Sequence, residues 1–146
     1  MFLGQYQHSL DDKGRLTIPA RFRELLDQGA YITQGFDKNL MVMSPPAFEQ
    51  VYARITSVSL TDPSARLLRR LIFSNAYPVE VDKAGRILVP QSLRQFLGLE
   101  GEAVVVGQGE YFEIWLPADW NQQVKNLQDA DANAHRFSAF NLAAEK

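Results

Sequence analysis

An internal repeat limits the possible folds more than any other feature of this sequence. Residues 11–26, DDKGRLTIPARFRELL, align with residues 82–97, DKAGRILVPQSLRQFL, at an offset of 71. Six positions are identical: Asp11/Asp82, Gly14/Gly85, Arg15/Arg86, Pro19/Pro90, Arg23/Arg94 and Leu26/Leu97. Four more pairs stay apolar: Leu16/Ile87, Ile18/Val89, Phe22/Leu93 and Leu25/Phe96. One residue later the offset becomes 72, and Gly35/Gly107, Leu40/Phe112, Val42/Ile114, Met43/Trp115, Pro45/Pro117 and Phe48/Trp120 correspond. The chain thus divides into a first copy (residues 1–52), a linker region (53–76), a second copy (77–128) and a C-terminal tail (129–146).

Each copy has the same local signals. An extended segment, Tyr6 to Leu10 or Tyr77 to Val81, runs into an Asp-x-x-Gly turn. The Asp can hydrogen-bond its own backbone, and the Gly takes a left-handed conformation at little cost. A short strand follows, Arg15–Ile18 or Arg86–Val89, closed by Pro19 or Pro90. Proline cannot donate to a strand ladder but suits the first turn of a helix. Helices near 20–27 and 91–97 are expected to stop at Gly29 and Gly98 as C-terminal caps. Strands near 30–34 and 39–43, and near 103–106 and 111–115, complete the copies, and Pro45-Pro46 and Pro117 introduce further helices. In the linker, Asp62-Pro63 is a helix start, with Leu67, Leu68, Leu71 and Ile72 forming an apolar stripe opposite Arg66, Arg69 and Arg70. In the tail, Phe137, Phe140 and Leu142 are spaced like one face of a marginal helix, ordered only where something covers them.

A unit of about 50 residues with four short strands and one short helix cannot bury a sufficient core alone. Two units pairing solves that. The fold expected is α+β: a pseudo-two-fold β-barrel made by interleaving the two copies, with flanking helices.

Chemistry is constrained mostly by exclusion. The chain is 46% hydrophobic and 11% aromatic, which argues against disorder. There is no cysteine, so disulfides, thiolate metal sites and cysteine nucleophiles are excluded. No run approaches the roughly 20 apolar residues of a membrane helix, and MFLGQYQHSLDD does not read as a signal peptide. A soluble, cytoplasmic protein without a membrane partner is expected. His8 and His135 have no Ser-Asp partners nearby, and no phosphate-binding loop follows a strand. Gly107-Gln108-Gly109 reads as a hairpin turn. Glu100, Glu102, Glu110, Glu113, Asp129 and Asp131 lack metal-ligand spacing and read as a solvated acidic face. No catalytic residue, cofactor, metal or small-molecule substrate is expected.

The net charge is −2, but it is unevenly spread: residues 1–94 hold 12 Lys/Arg against 9 Asp/Glu, and residues 95–146 hold 3 against 8. A polyanion responds to the local field rather than to the total. In both copies an Asp stands four residues before an Arg across the turn, with Lys13 or Lys83 between. One reading is structural: Asp caps the turn and pairs with Arg, worth about 0–1 kcal/mol if exposed. The other is a loop presenting Lys and an Asp-aimed Arg to DNA, where a guanidinium can fork onto guanine O6 and N7. Arg21, Arg23 and Arg94 lie on the following helices, where they could meet phosphates. The linker-helix arginines could serve DNA or a neighbouring subunit.

LDDKGRLTIP and VDKAGRILVP in tandem, in a chain starting MFLGQY, closely resemble the MraZ family of bacterial transcriptional regulators across residues 1–128. Each half resembles the AbrB-type swapped-hairpin DNA-binding domain. The resemblance implies sequence-specific binding of double-stranded DNA at short direct repeats in the promoter of its own operon. That operon heads the division and cell-wall gene cluster, and regulation is usually repressive. It also implies homo-oligomers in closed rings and a nucleoid-associated, cytoplasmic location. The family's DNA-binding motif falls on Asp11, Lys13, Gly14 and Arg15, and on Asp82, Gly85 and Arg86. The second copy departs from it: Ala84 stands where the first has Lys13, and its lysine is one place earlier, at Lys83. An antitoxin-like protein-interaction module on the same fold, using the tail, is the alternative.

Overall fold

A computed structural model describes residues 1–143; the last three residues of the expected tail lie outside the described residues. The first copy forms strands β1 (Gln5–Ser9) and β2 (Arg15–Thr17), helix α1 (Ala20–Leu25), strands β3 (Ala30–Gln34) and β4 (Leu40–Met43), and helix α2 (Pro45–Thr56). Helix α3 (Pro63–Phe73) follows. The second copy repeats the order with β5 (Tyr77–Val79), β6 (Arg86–Leu88), α4 (Gln91–Leu97), β7 (Glu102–Gly107), β8 (Phe112–Trp115) and α5 (Pro117–Leu127), before α6 (Ala130–Phe137).

The expected interleaving of the copies is what the strand pairing shows. A six-stranded antiparallel sheet has the order β1-β7-β8-β4-β3-β5, and β2 pairs with β6 as a separate two-stranded ribbon. β1 finds its partner in the second copy, β5 finds its partner in the first, and the ribbon takes one strand from each. An unpaired strand edge leaves a row of backbone donors and acceptors open. Neither copy therefore satisfies its own backbone without the other.

The main core follows from strand alternation, in which successive side chains face opposite ways. Leu16, Ile18, Phe22, Leu40 and Val42 of the first copy meet Ile87, Val89, Leu93, Val105, Phe112 and Ile114 of the second. The opposite faces of β4 and β7 carry the helices. Met41 and Met43 pack with Ile55 of α2 and Ile72 of α3. Val104, Val106 and Trp115 pack with Trp120 of α5. β4 and β8 are buried on both faces for this reason.

Several details differ from the sequence expectation. Gly98 caps α4 in the left-handed region at φ 73°, as expected. Gly29 does not cap α1, which ends at Leu25 with a Leu26 cap. The inserted residue after Leu97 explains this: at the offset of 72, Gly29 matches Gly101, and both have positive φ just before the next strand. In α3, Asp62 accepts from the Ser64 N–H and Ile72 is fully buried, but Leu67 is 62% exposed and lies off the apolar stripe. Ala65 takes its place inside. α6 ends at Phe137, so Phe140 and Leu142 continue no helical face, and all three side chains stay exposed. Glu113 is not part of a solvated face. It is 6% exposed on β8 and accepts hydrogen bonds from Trp115 Nε1 (2.9 Å) and Gln108 Nε2 (3.0 Å).

Candidate nucleic-acid interface

The two Asp-x-x-Gly turns close in the same way. In the first, the Asp11 N–H donates to the Arg15 carbonyl (3.0 Å) and the Gly14 N–H to the Asp11 carbonyl (3.0 Å). Asp11 Oδ1 accepts from the backbone N–H groups of Lys13 (3.1 Å) and Arg15 (2.8 Å), and its Oδ2 accepts from Arg15 Nε (2.7 Å). In the second turn, Asp82 Oδ1 accepts from the N–H groups of Ala84 and Arg86 (both 2.9 Å), and Oδ2 from Arg86 Nε (3.0 Å). One carboxylate oxygen thus organises the backbone while the other holds the arginine by its inner nitrogen. The Nη groups are left at the far end of the side chain.

Gly14 and Gly85 sit at φ +84° and +79°, which favours glycine. A second cause adds to the first. A Cβ on Gly14 would run into the guanidinium of Arg94, and one on Gly85 into that of Arg23. Each helix therefore lays its arginine across the loop of the other copy. Arg23 Nε also donates to the Ile18 carbonyl (2.8 Å) and Arg94 Nε to the Val89 carbonyl (2.9 Å), which holds both side chains in place. The backbone repeats the exchange: the Ile18 N–H donates to Gly85 O (2.9 Å) and the Val89 N–H to Gly14 O (2.8 Å).

The ribbon brings the two loops together. Leu16 and Ile87 face inward with no exposure, and Arg15, Thr17, Arg86 and Leu88 form the outer face. Arg15 stands opposite Leu88, and Thr17 opposite Arg86. Arg86 lies between two carboxylates, with Nη2 3.0 Å from Asp82 Oδ2 and Nη1 3.6 Å from Asp11 Oδ2. Arg15 is held by Asp11 alone, and among the described residues no acceptor bonds its Nη groups. The two arginines are thus unequal in how freely they can be offered.

Both carboxylates keep their charge to lower pH than an ordinary aspartate. The backbone hydrogen bond from Arg15 holds Asp11 below its ordinary value, helped by that residue's side-chain bond and charge and opposed by partial burial. Arg86 acts on Asp82 in the same way. His8 on β1 is shifted down, first by burial and then by the Arg23 charge, which favours the neutral ring.

Lys13 and Lys83 are exposed in the loops, and Arg21 is exposed on α1. Arg23 and Arg94 are half-buried and occupied with the loops, a role that the one-dimensional repeat does not reveal. On α3, Arg66 Nη1 donates to Leu60 O (2.8 Å) and Arg69 Nη2 to Thr56 O (3.3 Å), while Arg70 is exposed. Thr17 and Leu88 were not singled out from the sequence. The strict alternation around buried Leu16 and Ile87 is the signal that places them beside the arginines.

The family model described as "MraZ protein, putative antitoxin-like" matches the chain twice, over residues 1–71 and 72–141. A protein of Herpetosiphon aurantiacus named "Transcriptional regulator MraZ" is 44% identical over 143 residues, spanning 97% of this chain and 100% of the relative. Proteins of the same name from a Roseiflexus species and from Thermomicrobium roseum are 45% and 46% identical over 133 and 127 residues. These matches cover 91% and 87% of this chain, and 92% and 89% of the respective relatives. With both copies matched and relatives aligned nearly end to end, this chain belongs to the MraZ family.

Proposed function

We propose that the protein is a DNA-binding transcriptional regulator that reads duplex DNA through its twin Asp-x-x-x-Arg loops. The observation that carries this reading is the paired, carboxylate-aimed presentation of Arg15 and Arg86 on one face of a two-stranded ribbon. A ribbon of this width fits the major groove, and an aimed guanidinium can fork onto guanine O6 and N7. Lys13, Lys83 and Arg21 are free to meet phosphates. Arg23 and Arg94 position the loops and can offer their Nη groups to the backbone of the duplex.

The interleaved copies fit the AbrB-like swapped-hairpin arrangement, with residues 1–52 and 77–128 as its two repeats. The family supports a regulator rather than an enzyme. We extend the reading to short direct repeats in the promoter of the protein's own operon and the division and cell-wall cluster, usually with repression. A closed homo-oligomeric ring would engage successive repeats, and avidity would compensate for the mildly acidic total charge. The protein would then reside on the nucleoid in the cytoplasm. No helix among the described residues is long and apolar enough to cross a membrane.

Fluorescence anisotropy with the duplex upstream of its own gene, at two salt concentrations and with random-sequence competitor, tests this reading. Saturable, competitor-resistant binding that weakens as salt rises is expected, and deletion of residues 129–146 should leave it intact. Absence of binding by an intact oligomer, together with a partner protein that requires the tail, would instead support the antitoxin-like module.

A further inference from the structure

We propose that Leu88 reads a base: its side chain, on the outer face of the ribbon beside Arg15, receives the C5-methyl group of a thymine in the site that the arginines contact. The inference rests on the DNA-binding reading above and adds a specificity determinant to it. Leu88 is 56% exposed although it lies in a strand whose neighbour Ile87 is fully buried. Its own fold therefore does not explain an apolar side chain there. The surroundings narrow what can cover it. Directly across the ribbon is Arg15, and the next outward residue on the same strand is Arg86. A protein surface that buried Leu88 would also have to desolvate these two guanidinium groups, at high cost unless each gained a partner. The floor of the major groove offers both chemistries side by side, acceptors on guanine and a methyl group on thymine.

The repeat supplies a second argument. Position 88 corresponds to position 17 at the offset of 71, and there the first copy carries Thr17, half-buried opposite Arg86. The flanking arginine, the inward apolar residue and the loop glycine are kept between the copies, while this outward residue changes from hydroxyl to hydrocarbon. Threonine can bond to any base edge or touch a methyl; leucine can only touch a methyl. One ribbon face thus presents two residues with different base preferences, each opposite one of the paired arginines.

A site selected from a random duplex library, re-synthesised with each thymine replaced singly by deoxyuridine, tests this without altering the protein. At one thymine, loss of the methyl group should weaken wild-type binding about fourfold, the effect of one buried methyl-sized group. Leu88→Ala should bind the thymine site about fourfold more weakly than wild type and be indifferent to deoxyuridine at that position. Thr17→Ala should retain the wild-type sensitivity there. The inference is overturned if every deoxyuridine affects wild type and Leu88→Ala alike, or if Leu88→Ala keeps wild-type affinity. A changed oligomeric state of Leu88→Ala in size-exclusion chromatography would overturn it too, by assigning the side chain to a protein contact. Failure of the wild-type protein to select any site would overturn the DNA-binding reading itself.

Discussion

At the scale of single residues, the loops depend on a division of labour between an aspartate and a glycine. Asp11 and Asp82 bind two backbone N–H groups and one arginine Nε each, so the ionised carboxylate is part of the folded loop. Both are held below the ordinary aspartate value, so the unfolded chain binds more protons than the folded one as the solution turns acid. Their stabilisation is present above about pH 3.9, the unfolded value, and is lost as pH falls through the lower folded values. Urea midpoints followed downward from neutral pH should drop most steeply below about pH 4, and the Asp11→Asn/Asp82→Asn protein should show a shallower drop. The glycine makes a separate prediction. Gly14→Ala should cost about 1–2 kcal/mol from the left-handed backbone alone. It should also push Arg94 aside, so Arg94→Ala should cost less in that variant than in wild type. Chemical denaturation of the four proteins of that cycle checks it. The Asp, Gly and Arg of each loop were legible in the sequence because turn chemistry is local. That Arg94 covers Gly14 and Arg23 covers Gly85 was not, because it depends on strand exchange between distant segments.

At the scale of elements, α1 and α4 join the shared core through few buried side chains, Phe22 from α1 and Leu93 and Leu97 from α4. Phe22 of α1 meets Phe2 edge-on with ring centroids 5.0 Å apart, and Tyr6 and Phe112 at 5.6 and 5.3 Å. Phe22→Ala should therefore cost about 3–5 kcal/mol in chemical denaturation, while the exposed Phe137→Ala in α6 should leave the midpoint unchanged. Element types were largely readable because prolines, turn glycines and period-two alternation are short-range signals. Gly29 reads as a helix cap like Gly98, but a one-residue insertion makes Gly101 its counterpart. Glu113 looked solvated because no short-range signal shows that Trp115 and Gln108 satisfy it within a strand flanked on both sides. Leu67 satisfies a helical stripe in one dimension, yet α3 turns inward the face bearing Ala65, Leu68 and Ile72.

At the scale of the whole molecule, exchange of strands makes the two copies one folding unit. β1, β2, β5 and β6 all take their partners from the other copy. Residues 1–71 and 72–146 produced as separate chains should each fail to fold as a monomer, and mixing them should restore the cooperative transition. A stable monomeric half, seen by sedimentation and circular dichroism, would contradict the interleaved fold. The same exchange brings both loops to one ribbon, where Arg86 contacts the carboxylates of both. Strand exchange was expected from the size of the repeat; which side chains it would align across the ribbon was not. If this shared face reads DNA, a mobility shift on the upstream duplex should separate wild type from Arg15→Ala/Arg86→Ala. Both arginines are partly exposed, so the variant should remain folded. Loss of sequence-selective binding by the variant is expected; binding equal to wild type would show that the ribbon face does not read DNA.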